Sequence, residues 1–144
     1  AAGHFGVPEK VIRQNLLSVL KDAGCGIDDI AFIIPHGSGT QKGDRSELRA
    51  IMDVMENRKH DTPVCGMKSY TGHMGAASDI AEVIMGMHSL KDNTVPATLN
   101  FHEAEKEFSA LRISGSPRES RNKLLLSVSY GIGGQASSVI VEAP

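Results

Sequence analysis

Apolar residues return along this chain first at helical and then at strand spacing, and the alternation repeats. Ile12, Leu16, Val19, Leu20 and Ala23 recur every three or four positions behind Pro8, with Gly24 after them. That spacing predicts an amphipathic helix with a proline in its first turn and a glycine stop. The run Ile30–Ile34 is short, apolar and rich in β-branched residues, and Pro35 ends it, so it predicts a strand buried on both faces. Helical spacing resumes at Leu48, Ile51, Met52 and Met55, and Asp44 followed by Glu47 has the pattern of a capping box with Asp44 as cap. Residues 64–67 predict a second short strand and 68–75 the loop leaving it. Ala76, Ala77, Ile80, Val83, Ile84 and Met87 then form the stripe of a third helix, whose small first residues permit close packing. Pro96, Asn100 and Pro117 punctuate a polar connection with a weak strand near 111–113. Leu124–Tyr130 and residues 138–142 close the chain as two apolar strands around a glycine-rich turn.

Strands alternating with helices and ending in a hairpin predict an α/β fold. Its mixed, mostly parallel sheet has helices packed on it and one antiparallel edge. A chain of 144 residues, 40% hydrophobic, suits one domain over 1–144 with one sizeable core. The formal charge of −2, with Lys and Arg dispersed, offers no footprint for nucleic acid or an anionic membrane. Cys25 and Cys65 form no C-x-x-C pair, which fits a reducing, cytoplasmic setting. No run of ~18 apolar residues predicts a membrane span, and residues 1–6 lack the charged and apolar regions of a signal peptide. The abrupt start just before a helix is compatible with a piece of a longer chain.

Chemistry concentrates in three glycine-rich loops, each directly behind a predicted strand: His36-Gly37-Ser38-Gly39-Thr40, Lys68-Ser69-Tyr70-Thr71-Gly72-His73 and Gly131-Ile132-Gly133-Gly134. In a parallel α/β sheet, loops leaving the carboxyl ends of strands gather on one edge, where ligands bind. Two imidazoles and an ammonium collected there could donate hydrogen bonds to a developing oxyanion, and glycine lets backbone N–H groups approach closely. That is carbonyl chemistry. Residues 37–43 lack the spacing of either common phosphate-binding glycine loop, no H-E-x-x-H or paired-cysteine pattern supports zinc, and Ser38 is offset by one from a G-x-S-x-G elbow. Met52, Met55, Met85 and Met87 read as core filler, Cys65 as an inert buried thiol, and His4, His60, His88 and His102 as surface residues.

The three loops, in this order, resemble the C-terminal half of the β-ketoacyl synthases, the condensing enzymes of the thiolase-like superfamily. His36 to Thr40 with Gly43, Asp44 and Glu47 resembles the family's H-G-T-x-T…G-D…E block, with Ser38 for its first threonine. Lys68 to His73, followed by Gly75-Ala76-Ala77-Ser78, resembles its K-x-x-x-G-H…A-A-[GS] block. Ser129 to Gly134 resembles its S-F-G-F-G-G turn, with Tyr130 and Ile132 for the two phenylalanines. Val128 and Ala136 stand where the family often has asparagine.

The resemblance implies a decarboxylative Claisen condensation of malonyl carried on acyl carrier protein with an acyl-enzyme thioester, in fatty acid or polyketide synthesis, without metal or redox cofactor. The family's nucleophilic cysteine lies in an N-terminal half that this chain does not contain, so the chain alone is expected to be inactive in condensation. His36 and His73 would hydrogen-bond the malonyl thioester carbonyl. Lys68, held by Glu47, would orient that pair and balance its charge, with Asp44 as structural support. Ser38 and Thr40 would bind the phosphopantetheine arm. Gly131, Ile132, Gly133 and Gly134 would form an oxyanion and gating loop, with Ile132 N–H as donor. Implied partners are acyl carrier protein, the N-terminal half, and a second subunit in a homodimer or heterodimer. The alternatives are a non-catalytic partner of the chain-length-factor type and a carrier-binding module.

Overall fold

In the computed structural model, residues 9–56 and 62–144 are described. Helix α1 (Glu9–Ala23) buries Ile12, Leu16 and Leu20. Gly24, at φ +66°, closes it: the Gly24 amide donates to Lys21 O at 3.1 Å and the Cys25 amide to Leu20 O at 3.1 Å. This is the paired C-terminal closure that a left-handed glycine allows. A turn of 3-10 helix (Ile27–Asp29) leads into β1 (Ile30–Ile34), whose five residues are all buried.

Strand β1 pairs in parallel with β4 (Leu124–Tyr130), and β4 pairs antiparallel with β5 (Ala136–Glu142), giving the order β1-β4-β5. Strand β5 therefore begins two residues earlier than its predicted 138–142. On the other side of β1 the predicted strand 64–67 is a single parallel bridge, Ile33 to Val64. The Ile33 amide donates to Pro63 O at 2.8 Å and the Cys65 amide to Ile33 O at 2.9 Å. The ladder stops there because the chain turns at once into α3 (Lys68–Thr71), one helical turn where a loop is predicted. Residues 111–113 form no strand; Arg112 O accepts the Val64 amide at 3.0 Å as a single rung. A two-residue pair absent from the expectations, β2 (Thr94–Val95) with β3 (Arg118–Glu119), makes a second small sheet.

Alternation along the strands divides the core between the sheet's two faces. Ile30, Ile33, Leu126 and Val128 pack with α1 and with Ala50, Ile51 and Val54 of α2 (Gln41–Met55). Phe32, Ile34 and Leu125 pack with Leu90, Val83, Met85 and Met87 of α4 (Ala77–Lys91). Helix α2 begins at Gln41 behind an N-cap Thr40 that makes no side-chain bond, so Asp44 lies inside the first turn and does not cap.

The face that α4 turns to the sheet is only partly the predicted stripe: Val83 and Met87 pack against the core, and the rest of the stripe does not. The buried residues of α4 are Ser78, Glu82, Gly86 and Leu90, while Ile80 and Ile84 are 67% and 57% exposed and Ala76 and Ala77 are exposed. Close approach comes from Gly86, where an added Cβ would meet Ile34 Cδ1 and Leu125 Cδ2 at 3.1 Å each. Among the described residues, no helix is long and apolar enough to cross a membrane.

Candidate active site

Because the bridging segment at Val64, β1 and β4 run parallel, their carboxyl ends open on one sheet edge. His36 follows β1, Lys68 follows the bridge, and Ser129 and Tyr130 end β4. The His36 and His73 ring centroids are 5.5 Å apart, with planes at 82°, and the Tyr130 ring lies 4.4 Å from His36 on the other side. The structure thus brings together the two histidines, the lysine and the start of the 131–134 loop.

Each imidazole is held through one ring nitrogen. The Gly75 amide donates to His73 Nδ1 at 3.0 Å. An amide can only donate, so Nδ1 carries the lone pair and the proton of this neutral ring sits on Nε2. His36 Nδ1 lies 3.4 Å from Ser129 Oγ. Burial, and then the nearby charge of Lys68, push the His36 pKa below its ordinary value, with Asp79 opposing. His36 is accordingly neutral at neutral pH.

Glu47 accounts for the placement of His36. It is 1% exposed, and its carboxyl oxygens accept the His36 amide at 2.6 Å and the Gly37 amide at 2.9 Å. It therefore clamps the backbone of the turn that presents the imidazole. Burial pushes its pKa up to about 7, against the opposing effect of the two amides.

The expected partnership of Glu47 with Lys68 is corrected: Lys68 Nζ pairs with Glu82 Oε1 at 2.9 Å, and the two side chains are 8% and 1% exposed. A lysine this buried requires a carboxylate beside it, and α4 supplies one from its sheet-facing side. The sequence reading missed Glu82. Its signal was a four-residue recurrence, Ser78, Glu82, Gly86, Leu90, overshadowed by the more apolar stripe beside it. Burial raises the Glu82 pKa, and the Lys68 ammonium opposes that shift.

Ser38 Oγ and Thr40 Oγ1 are 2.9 Å apart. Ser38 Oγ also lies 3.4 Å from Asp44 Oδ1. Burial raises the Asp44 pKa, opposed by hydrogen bonds from Ser38 and from the backbone of residues 38–40, so Asp44 braces the loop from within α2. In the loop after β4, the Gly134 amide donates to Gly131 O at 3.3 Å, and Ile132 stands 87% exposed. Gly133 and Gly134 take φ of +107° and +82°, a region costly for side-chain-bearing residues.

Cys65 is 1% exposed with its pKa pushed up to about 12 by burial, and burial also raises that of Cys25, so neither thiol is activated. Among the described residues, no group of three His, Cys, Asp or Glu side chains could hold a metal ion. His88 and His102 are exposed; His4 and His60 lie outside the described residues.

Comparison with known proteins identifies the family of the chain. The family profile of the β-ketoacyl synthase C-terminal domain matches residues 6–102. The tetracenomycin polyketide synthase ketoacyl synthase alpha subunit of Streptomyces glaucescens is 32% identical over 133 residues, covering 92% of this chain and 31% of that protein. The 3-oxoacyl-[acyl-carrier-protein] synthase 2 of Coxiella burnetii is 29% identical over 122 residues, 85% of this chain and 30% of that protein. The crystal structure of a β-ketoacyl synthase from Burkholderia phymatum superposes with a TM-score of 0.81 at 26% identity, over 99% of this chain and 35% of that one. This chain therefore spans about a third of the length of these proteins. Matched by the family profile over residues 6–102 and by condensing enzymes over most of its length, the chain belongs to the β-ketoacyl synthase C-terminal domain family.

Proposed function

We propose that this sheet edge is the malonyl-handling side of a β-ketoacyl synthase active site, acting in fatty acid or polyketide synthesis. The observation that carries the proposal is the pair of imidazoles 5.5 Å apart, with His73 Nδ1 occupied by an amide and its Nε2–H left to donate. Two such donors suit one carbonyl oxygen on which negative charge develops. As the malonyl carboxylate departs as carbon dioxide, the electrons of its C–C bond move into the thioester carbonyl, and His36 and His73 hydrogen-bond the enolate oxygen. The enolate carbon then attacks an acyl thioester, and the thiolate that carried the acyl group leaves. The electron pair comes from the substrate's own bond, so the proposed reaction draws on no metal or redox cofactor.

In this reading Lys68, held by Glu82, stands beside His36 and adds to burial, the larger cause, in lowering the pKa of that imidazole. Glu47 fixes the His36 turn. Ser38 and Thr40 hydrogen-bond the pantetheine arm of acyl carrier protein, and Asp44 braces them. The Gly131–Gly134 loop supplies an oxyanion donor from the Ile132 amide, with the exposed Ile132 side chain as gate. The acylated cysteine comes from another part of the protein, because Cys25 and Cys65 both have raised pKa values. The 144-residue chain alone is inactive in condensation; acyl-enzyme formation at either cysteine would contradict this.

The test is decarboxylation of malonyl-carrier protein by the full-length protein. His73→Ala lowers kcat by about 10²–10³, the worth of one oxyanion donor. A wild-type protein that releases no carbon dioxide would instead support the non-catalytic partner reading.

A further inference from the structure

Strand β4 delivers two consecutive residues to His36. Successive residues of a strand face opposite sides of its sheet: Tyr130 packs with the core under α1 and α2, while Ser129 is in step with Leu125, on the face that α4 covers. The Tyr130 ring stands 4.4 Å from the His36 imidazole, and Ser129 Oγ lies 3.4 Å from its Nδ1. The sheet fixes where that hydroxyl starts from, since Ser129 is registered against Ser137 of β5. Glu47 holds the backbone amides of His36 and Gly37 and no atom of the ring. Among the described residues Ser129 is thus the hydrogen-bond partner of the His36 imidazole, through Nδ1, and Nε2 has none.

A hydroxyl either donates to a neutral imidazole nitrogen or accepts from it, and the two arrangements put the ring's proton on opposite nitrogens. If Ser129 accepted, its own hydrogen would have no partner in this part-buried place, and Nε2 would offer only a lone pair. If it donates, only hydroxyl lone pairs go unused, and unused acceptors are commoner in proteins than unpaired donors. We propose that Ser129 is a positioning residue: its hydroxyl donates to His36 Nδ1 and keeps the proton of that ring on Nε2, as the Gly75 amide does for His73. One donor is backbone and the other a side chain, so a substitution can remove the second while leaving the first in place. The inference rests on the donor role proposed above for His36.

The test compares wild type, Ser129→Ala and Ser129→Thr in the full-length protein, by long-range 1H–15N NMR of the neutral histidine rings and by malonyl-carrier decarboxylation. The wild type shows the His36 proton on Nε2. Ser129→Ala moves the His36 tautomer ratio toward Nδ1–H by about two- to tenfold, the net worth of one hydrogen bond. It also lowers kcat with KM unchanged, and His73 keeps its tautomer. Ser129→Thr, which retains the hydroxyl on a strand that suits a β-branched residue, restores both. The proposal is overturned if wild-type His36 carries its proton on Nδ1, or if Ser129→Ala leaves the His36 tautomer as it was. A fall in Tm with no change of tautomer would reduce Ser129 to packing. If the wild type does not decarboxylate, the functional reading fails, while the tautomer comparison still decides whether Ser129 sets the His36 ring.

Discussion

Glu47 holds the His36–Gly37 turn with both carboxyl oxygens, so Glu47→Gln, with one carbonyl oxygen, leaves an amide unpaired. The expected cost is ~1–3 kcal/mol, read from urea unfolding. Because burial raises the Glu47 pKa from 4.5 to about 7, the folded chain holds this proton more tightly than the unfolded chain across that window. The stability this group contributes is therefore greatest at low pH and falls as pH rises through the folded value. The gap between wild type and Glu47→Gln should be wider at pH 5 than at pH 7.5; a gap independent of pH would contradict the raised value.

Lys68 and Glu82 give the other residue-scale prediction. Lys68→Met strands a carboxylate that is 1% exposed and should cost ~3–5 kcal/mol, with Lys68→Met/Glu82→Leu recovering most of that loss. Equal losses in the single and double variants would refute the pairing. That His36, His73 and Lys68 gather at one sheet edge was legible because each lies in a loop behind a predicted strand. Glu82 was not, since a carboxylate inside a helix reads as solvated until a partner for it is known.

The elements were mostly legible where one period dominated. Helix α1 and strands β1 and β4 lie at or within a residue of their predicted places, because their apolar residues have one face, or both strand faces, to bury. Helix α4 is apolar on two sides, and periodicity selected the side with the larger residues, Ile80 and Ile84, which is exposed. The sheet takes the side with Gly86, where an added Cβ would press on side-chain atoms of Ile34 and Leu125 at 3.1 Å and of Phe32 at 3.3 Å. Gly86→Val should therefore destabilise the fold by ~1–3 kcal/mol through overpacking, even though valine is the better helix former. A stabilised variant in a thermal melt would show that α4 does not sit against the sheet. The β2–β3 pair and the helical turn at 68–71 escaped prediction because a two-residue pairing or a single turn leaves no local period.

For the whole molecule, the exposed α4 face poses the question of what covers it. Tyr70, Met74, Ile80 and Ile84 are each at least 40% exposed, on α3, α4 and the loop between them. Large apolar side chains left exposed together on one segment are candidates for an interaction surface. In the proposed reading it packs against the rest of the synthase, so the 144-residue chain alone should self-associate in sedimentation velocity. Ile80→Asp/Ile84→Asp should return it to monomer, and a wild-type chain that is monomeric at high concentration would argue against an unpartnered face.

At the same scale, the account rests on a parallel sheet edge that presents two neutral imidazoles as donors to one oxygen. The most direct test is a long-range 1H–15N NMR spectrum of the histidine rings at pH 7. The account predicts a neutral His36 and a neutral His73 with its proton on Nε2. A proton on His73 Nδ1 would contradict it, because that nitrogen could not then accept the Gly75 amide, and an Nε2 without a proton on either ring would remove one of the two donors.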